Sequence, residues 1–142
     1  MKKMTSFMVM LLTAMVPVLF NSCNQPEPDD PNYAKLIVGE WDMTRYEWDM
    51  EYEGEEEIGS EYFDEEDWIW EFDGNKINMY MEGDDESYRY EIEDNKLYTE
   101  YATYYYAQYF KITTLNKNKL VLELTYRYEG VTAKYTFAFK RI

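Results

Sequence analysis

The chain has 142 residues, with 29 acidic against 14 basic side chains, one cysteine and no histidine. A net charge of −15 argues against nucleic acid, whose phosphates need Lys and Arg, and against a domain lying directly on anionic lipid. Without histidine, Ser-His-Asp and Cys-His catalysis and the usual zinc sites are excluded, and a lone cysteine forms no internal disulfide.

At the N-terminus Lys2 and Lys3 precede an apolar run from Phe7 to Phe20, interrupted only by Thr13 and Pro17. That run is shorter than the ~20 residues needed to cross a bilayer, but it suits the apolar region of a signal peptide. It ends Val18-Leu19-Phe20-Asn21-Ser22-Cys23. An aliphatic residue, small or polar residues and then cysteine resembles a lipobox. The resemblance implies cleavage before Cys23, lipid on that cysteine and a membrane anchor. At ~0.8 kcal/mol per buried CH₂, two or more acyl chains hold stably where one does not. An ordinary secretory signal cut nearby is the other reading.

Asn24 to Pro31 is rich in Pro and acid and reads as a stiff, solvated tether. Acid just after the cysteine is similar to export signals of some Gram-negative outer membranes. The expected location is therefore the cell envelope, lipid-anchored to the outer membrane on its periplasmic or surface face. The predicted organisation is a signal peptide over 1–22, a lipidated tether over 23–32 and one domain over 33–142. Removing 1–22, which carry two lysines and no acid, leaves 120 residues with 12 bases against 29 acids, a charge of −17. That length suits a single modest core.

Pro31 to Val38 predicts one short helical turn with Asn32 as a possible cap. From Gly39 onward, alternation dominates, and 16 tyrosines favour strands. Glu40–Tyr52 is the first strand. Its inward parity changes near Arg45, which a bulge would explain. The acidic stretch Glu53–Asp67 has no clear pattern and reads as a loop or frayed hairpin. Strands follow over 68–72, 76–82, 87–93, 96–106, 108–115, 119–128 and from 131 onward. They are punctuated by Asp73-Gly74-Asn75, Gly83-Asp84-Asp85, Asp94-Asn95, Asn116-Lys117-Asn118 and Glu129-Gly130. Eight strands on short turns make an all-β antiparallel up-and-down meander, and closure into a barrel removes its edges. A sandwich or an open rolled sheet of the same strands is the competing architecture.

Gly39-Glu40-Trp41, just after the helical turn, resembles the lipocalin signature. The resemblance implies that Trp41 plugs one barrel end against a basic residue on or after the last strand, here Lys140 or Arg141. Cation–π contact would account for the pairing. The span from about 33 to 142 is also similar to short lipocalin-like lipoproteins of Gram-negative bacteria. The corresponding segments are Leu36 to Trp41 and Lys119-Leu120-Val121-Leu122.

An eight-stranded barrel either fills with its own side chains or holds one small ligand. The residues expected to line that interior are Trp68, Trp70, Phe72, Met79, Met81, Tyr88, Tyr90, Phe110, Phe137 and Phe139. They are read as a filled core or as the wall of an apolar pocket. Tyr101, Tyr104, Tyr105, Tyr106 and Tyr109 could instead form an exposed strip for a glycan or protein. The acidic runs Glu55-Glu56-Glu57 and Asp64-Glu65-Glu66-Asp67 offer oxygen ligands but lack the spacing of a calcium loop, so no metal or cofactor is expected. The primary expectation is a non-catalytic, membrane-anchored carrier of a small apolar ligand. The alternative is a filled barrel acting as a protein or glycan interaction module.

Overall fold

A computed structural model describes residues 32–142. The expectations about the signal peptide, Cys23 and its tether lie outside the described residues.

The domain opens with a single helical turn, α1 (Tyr33–Leu36), whose Asn32 side chain accepts from the Lys35 amide at 3.2 Å. Nine antiparallel strands follow: β1 (Gly39–Tyr52), β2 (Glu55–Tyr62), β3 (Trp68–Phe72), β4 (Lys76–Met81), β5 (Asp84–Glu93), β6 (Lys96–Thr99), β7 (Tyr109–Leu115), β8 (Lys119–Tyr128) and β9 (Val131–Arg141). β9 returns to pair with β1 along almost its whole length, which closes an eight-stranded barrel.

Nine strands make eight staves because β2 and β3 lie end to end beside β1. Arg45–Tyr52 pairs with β2, and Gly39–Asp42 pairs with β3. The acidic stretch expected to be a loop or frayed hairpin therefore contains a strand. Its turn, Glu53-Gly54, has positive φ at both residues (50° and 84°), the two-residue geometry that matches strand twist. The parity change on β1 is a register shift against β9 between Met43 and Arg45. It carries Trp41, Met43, Tyr46 and Trp48 onto one face.

Two other expectations change. β5 begins at Asp84, since Met81 pairs with Asp84 and the turn is Glu82-Gly83. The strand expected over 96–106 stops at Thr99 and becomes a 3₁₀ helix, Glu100–Tyr105. Thr99 accepts from the Tyr101 amide, and Tyr106 ends the helix in left-handed backbone (φ 56°), so local hydrogen bonding overrides the β preference of the tyrosines.

The core is the barrel interior. β8 alternates Leu120, Leu122 and Leu124 inward, while β9 supplies Ala133, Phe137 and Phe139. α1 and Trp41 sit at one end with the turns at 73–75, 94–95 and 116–118. The 3₁₀ helix sits at the other end with the turns at 53–54, 82–83 and 129–130.

Candidate functional site

Three regions bear on function: the closed end, the interior and the tyrosine-rich end. At the closed end Trp41 is fully buried and its indole Nε1 donates to Ile37 O at 2.8 Å. The Arg141 guanidinium stacks over that indole, 4.1 Å from the ring centroid. Its nitrogens donate to Lys117 O (2.6 Å), Val38 O (3.0 Å) and Leu36 O (2.6 Å). Arg141 thereby joins α1, the start of β1 and the β7–β8 turn. Gly39 is required beneath it: φ is 135°, and a Cβ there would lie 2.5 Å from the arginine Nη1.

Of the two basic candidates, only Arg141 meets Trp41. Lys140 has the opposite parity, points outward and pairs with Glu65 at 3.0 Å. That bond holds the Lys140 ammonium above its ordinary pKa.

The interior is organised around Trp70. Its ring lies 5.0–6.4 Å from those of Phe72, Tyr101, Phe110, Phe137 and Phe139, in tilted or edge-on contacts. Trp70, Phe72, Met79, Phe110 and Phe137 are fully buried, with Tyr90 and Phe139 nearly so. These seven predicted lining residues form one continuous cluster, with Trp68 and Tyr88 half-buried against it, while Met81 is half-buried and not part of it. Tyr90 spans the wall and accepts from the Gly74 amide with its hydroxyl at 3.0 Å. The indole Nε1 groups of Trp68 and Trp70 are buried with no protein acceptor.

The tyrosines expected to form one exposed strip are divided. Tyr101 enters the core and stacks on Phe110. Tyr109 packs with Tyr98 beneath the Lys96 ammonium. Tyr104 and Tyr106 remain exposed, and Tyr106 lies flat on Tyr128 at 5.3 Å.

A different group assembles at the end opposite Trp41. Tyr46 stacks on Tyr135 (5.9 Å, 9°), which meets Tyr105 at 5.1 Å, and Trp48 flanks Tyr46 at 5.5 Å. The Tyr105 and Tyr101 hydroxyls are 3.3 Å apart. Burial first, then neighbouring phenols and the Glu61 carboxylate, raises the Tyr46 pKa well above that of free tyrosine. Burial and the Tyr105 phenol do the same for Tyr101, and burial with a 2.7 Å bond to Glu86 for Tyr88. At neutral pH these phenols are uncharged donors beside carboxylates. The β1 bulge that brings Tyr46 round was the signal for this cluster in the sequence.

Asp42 was also not anticipated. It is 2% exposed, and its carboxylate accepts from the Glu66 amide at 3.0 Å, which fastens the β2–β3 connection to the wall. Among the described residues there are clefts besides these groups. One, about 970 Å³, is lined by Lys76, Arg89, Glu91, Tyr98, Glu100 and Gln108 among others. Another, about 400 Å³, runs over Glu47, Asp49, Ile58, Ser60, Lys134 and Thr136. Among the described residues no group of three or more acidic, cysteine or histidine side chains is arranged to hold a metal ion.

The family model of the lipocalin-like domain matches residues 37–122. The chain belongs to the lipocalin-like domain family. No curated protein matches it. The family match includes Gly39, Trp41 and the aromatic hub at Trp70, and it ends within β8. In this lipocalin-like domain the strand that closes the barrel, with Arg141, lies beyond the matched span.

Proposed function

We propose that the chain is a lipid-anchored cell-envelope lipoprotein that carries a filled lipocalin-like barrel as a non-catalytic binding module. The packing around Trp70 carries this reading. Five aromatic rings surround an indole that is itself fully buried, so the barrel centre is occupied by the protein's own side chains. Recognition is then left to the tyrosine-rich end, where Tyr46, Trp48, Tyr105 and Tyr135 present aromatic faces and hydroxyls. Glu61 and Glu86 stand beside them. Anionic ligands such as fatty acids meet repulsion there; neutral polyhydroxylated or protein surfaces do not. The lipobox-like segment ending at Cys23 supports the anchor, and the acidic tether supports a body held off the membrane.

A small apolar molecule inside the barrel is a second reading, favoured by a separate observation. The Trp68 and Trp70 N–H groups have no protein acceptor, a deficit of ~1–3 kcal/mol each when a buried donor is left unmade. A ligand oxygen would relieve it.

Native mass spectrometry of the whole chain, purified from membranes in mild detergent, tests these points together. A diacylated or triacylated Cys23, lost in Cys23→Ser, is expected, as is a bare polypeptide mass beyond those acyl groups. An unmodified Cys23 would refute the anchor. A discrete extra mass removed by organic extraction would replace the filled barrel with the carrier.

A further inference from the structure

Among the described residues, β2 has a strand on one side only, as do Asp84–Arg89 of β5 and Leu124–Tyr128 of β8. β2 pairs with β1 alone, because on its other side β4 reaches only as far as β3. The two-residue turn closes on Tyr52 and Glu55, and at the other end the Phe63 amide donates to Thr44 O at 3.1 Å. Hydrogen-bonded and non-bonded pairs alternate along an antiparallel ladder. Glu55, Glu57, Gly59 and Glu61 therefore spend their backbone groups on β1. Glu56, Ile58, Ser60 and Tyr62 direct their N–H and C=O groups away from it. An edge of this length is a template for another strand. Ile58 and Tyr62 are 69% and 72% exposed, on the same face of the strand.

The edge is also held rigid. The Trp48 indole lies directly over Gly59, and any Cβ there would run into the ring. β2 is therefore pinned against β1 and presents its free side in a fixed conformation, although it contributes no buried residue to the core.

The geometry points to β2 as a docking edge for an extended, basic segment of a partner protein that adds as a further strand. Charge selects that occupant. Glu55, Glu57 and Glu61 project on one face and Glu56 on the other, so a pairing strand meets carboxylates on both sides. Lys or Arg satisfies them, and apolar residues at alternate positions meet Ile58 and Tyr62. A second copy of this chain is the wrong occupant: two β2 strands would set four glutamates of each against four of the other, which is destabilising. The acidic tether of the same chain fails for the same reason.

The test uses the whole chain in non-ionic detergent and a synthetic alternating Lys–Val peptide long enough to span β2. Calorimetry gives affinity, and amide hydrogen exchange gives location. Binding is expected to slow exchange at Glu56, Ile58, Ser60 and Tyr62. Ser60→Pro removes an outward N–H, which an edge strand tolerates, and is expected to weaken binding by about tenfold or more. The same peptide N-methylated on every backbone amide keeps its charge, cannot pair by either edge, and is expected not to bind, whatever Ser60→Pro does to folding. Equal binding by the methylated peptide would reduce the effect to bulk charge and overturn the proposal. So would no binding, unchanged exchange at the four amides, or a dimer that Ser60→Pro dissolves.

Discussion

Arg141→Ala isolates the closed end of the barrel. The guanidinium makes three hydrogen bonds to backbone carbonyls and one cation–π contact. The bonds to Lys117 and Val38 lie at the surface, so ~0.5–1 kcal/mol each is appropriate, with ~1.5 kcal/mol for the part-buried bond to Leu36. The indole contact adds ~0.5–1 kcal/mol. The total is about 3–4.5 kcal/mol. For a domain of this size, at ~4 °C per kcal/mol, that lowers Tm by ~12–18 °C. Arg141→Lys keeps the charge but loses the planar fork, so about half the loss remains. Lys140→Ala is the matched control: its partner Glu65 is a solvent-exposed side chain, and its effect is expected to be small. Thermal unfolding followed by near-UV circular dichroism measures all three. A drop under ~3 °C for Arg141→Ala, or one equal to that of Lys140→Ala, would show that Arg141 does not lock the end.

The remaining predictions concern Gly39, Trp70 and pH. Gly39→Ala forces a side chain into left-handed backbone and against Arg141; in a double-mutant cycle its cost should fall when Arg141 is already alanine, and strict additivity would refute the steric contact. Trp70→Ala removes the hub of five aromatic contacts and should cost ~3–5 kcal/mol by urea unfolding; a loss near 1 kcal/mol would mean a loosely packed centre. Burial raises the pKa of Tyr46, Tyr88 and Tyr101 in the folded state, so their contribution is complete below the unfolded value of ~10 and is lost as pH rises beyond it. Tyrosinate absorbance and urea midpoints measured together from pH 8 to 12 should show these phenols ionising only as the protein unfolds. Ionisation of every tyrosine near pH 10 with the fold intact would contradict that.

Where side chains face a packed interior, the sequence made the fold legible. β8 and β9 alternate without interruption, and the parity change on β1, which a bulge or a barrel corner would equally explain from sequence, is a register shift between Met43 and Arg45. β2 escaped because its inward positions are Glu55, Glu57, Gly59 and Glu61. It has no hydrophobic face, and it is a strand through its ladder to β1 and the indole over Gly59. The 3₁₀ helix escaped because tyrosine favours strands on average, while the Thr99 cap and the turn at Tyr106 act locally. The choice between Lys140 and Arg141 was present in the alternation. Arg141 shares parity with Phe137 and Phe139, which point inward, and Lys140 shares it with the outward Lys134.

Whether the barrel is filled or holds a ligand could not be read in the same way. Alternation tells which residues point inward, not how their volumes meet. Trp70 is decisive here through position: its register opposite Trp41 on one side and Met79 on the other sets it where rings from β3, β7, β9 and the 3₁₀ helix converge. A tryptophan at the barrel margin, like the half-buried Trp68, would have left the same composition with an open centre. The fold therefore assigns the closed end to stability, through Trp41 and Arg141, and the interior to packing. On the readings proposed above, groups for a partner remain at the tyrosine-rich end and along the free edge of β2. Tyr46, Tyr105 and Tyr135 still pack on the core, whereas β2 buries nothing in it, which is why alternation marked the first region and missed the second.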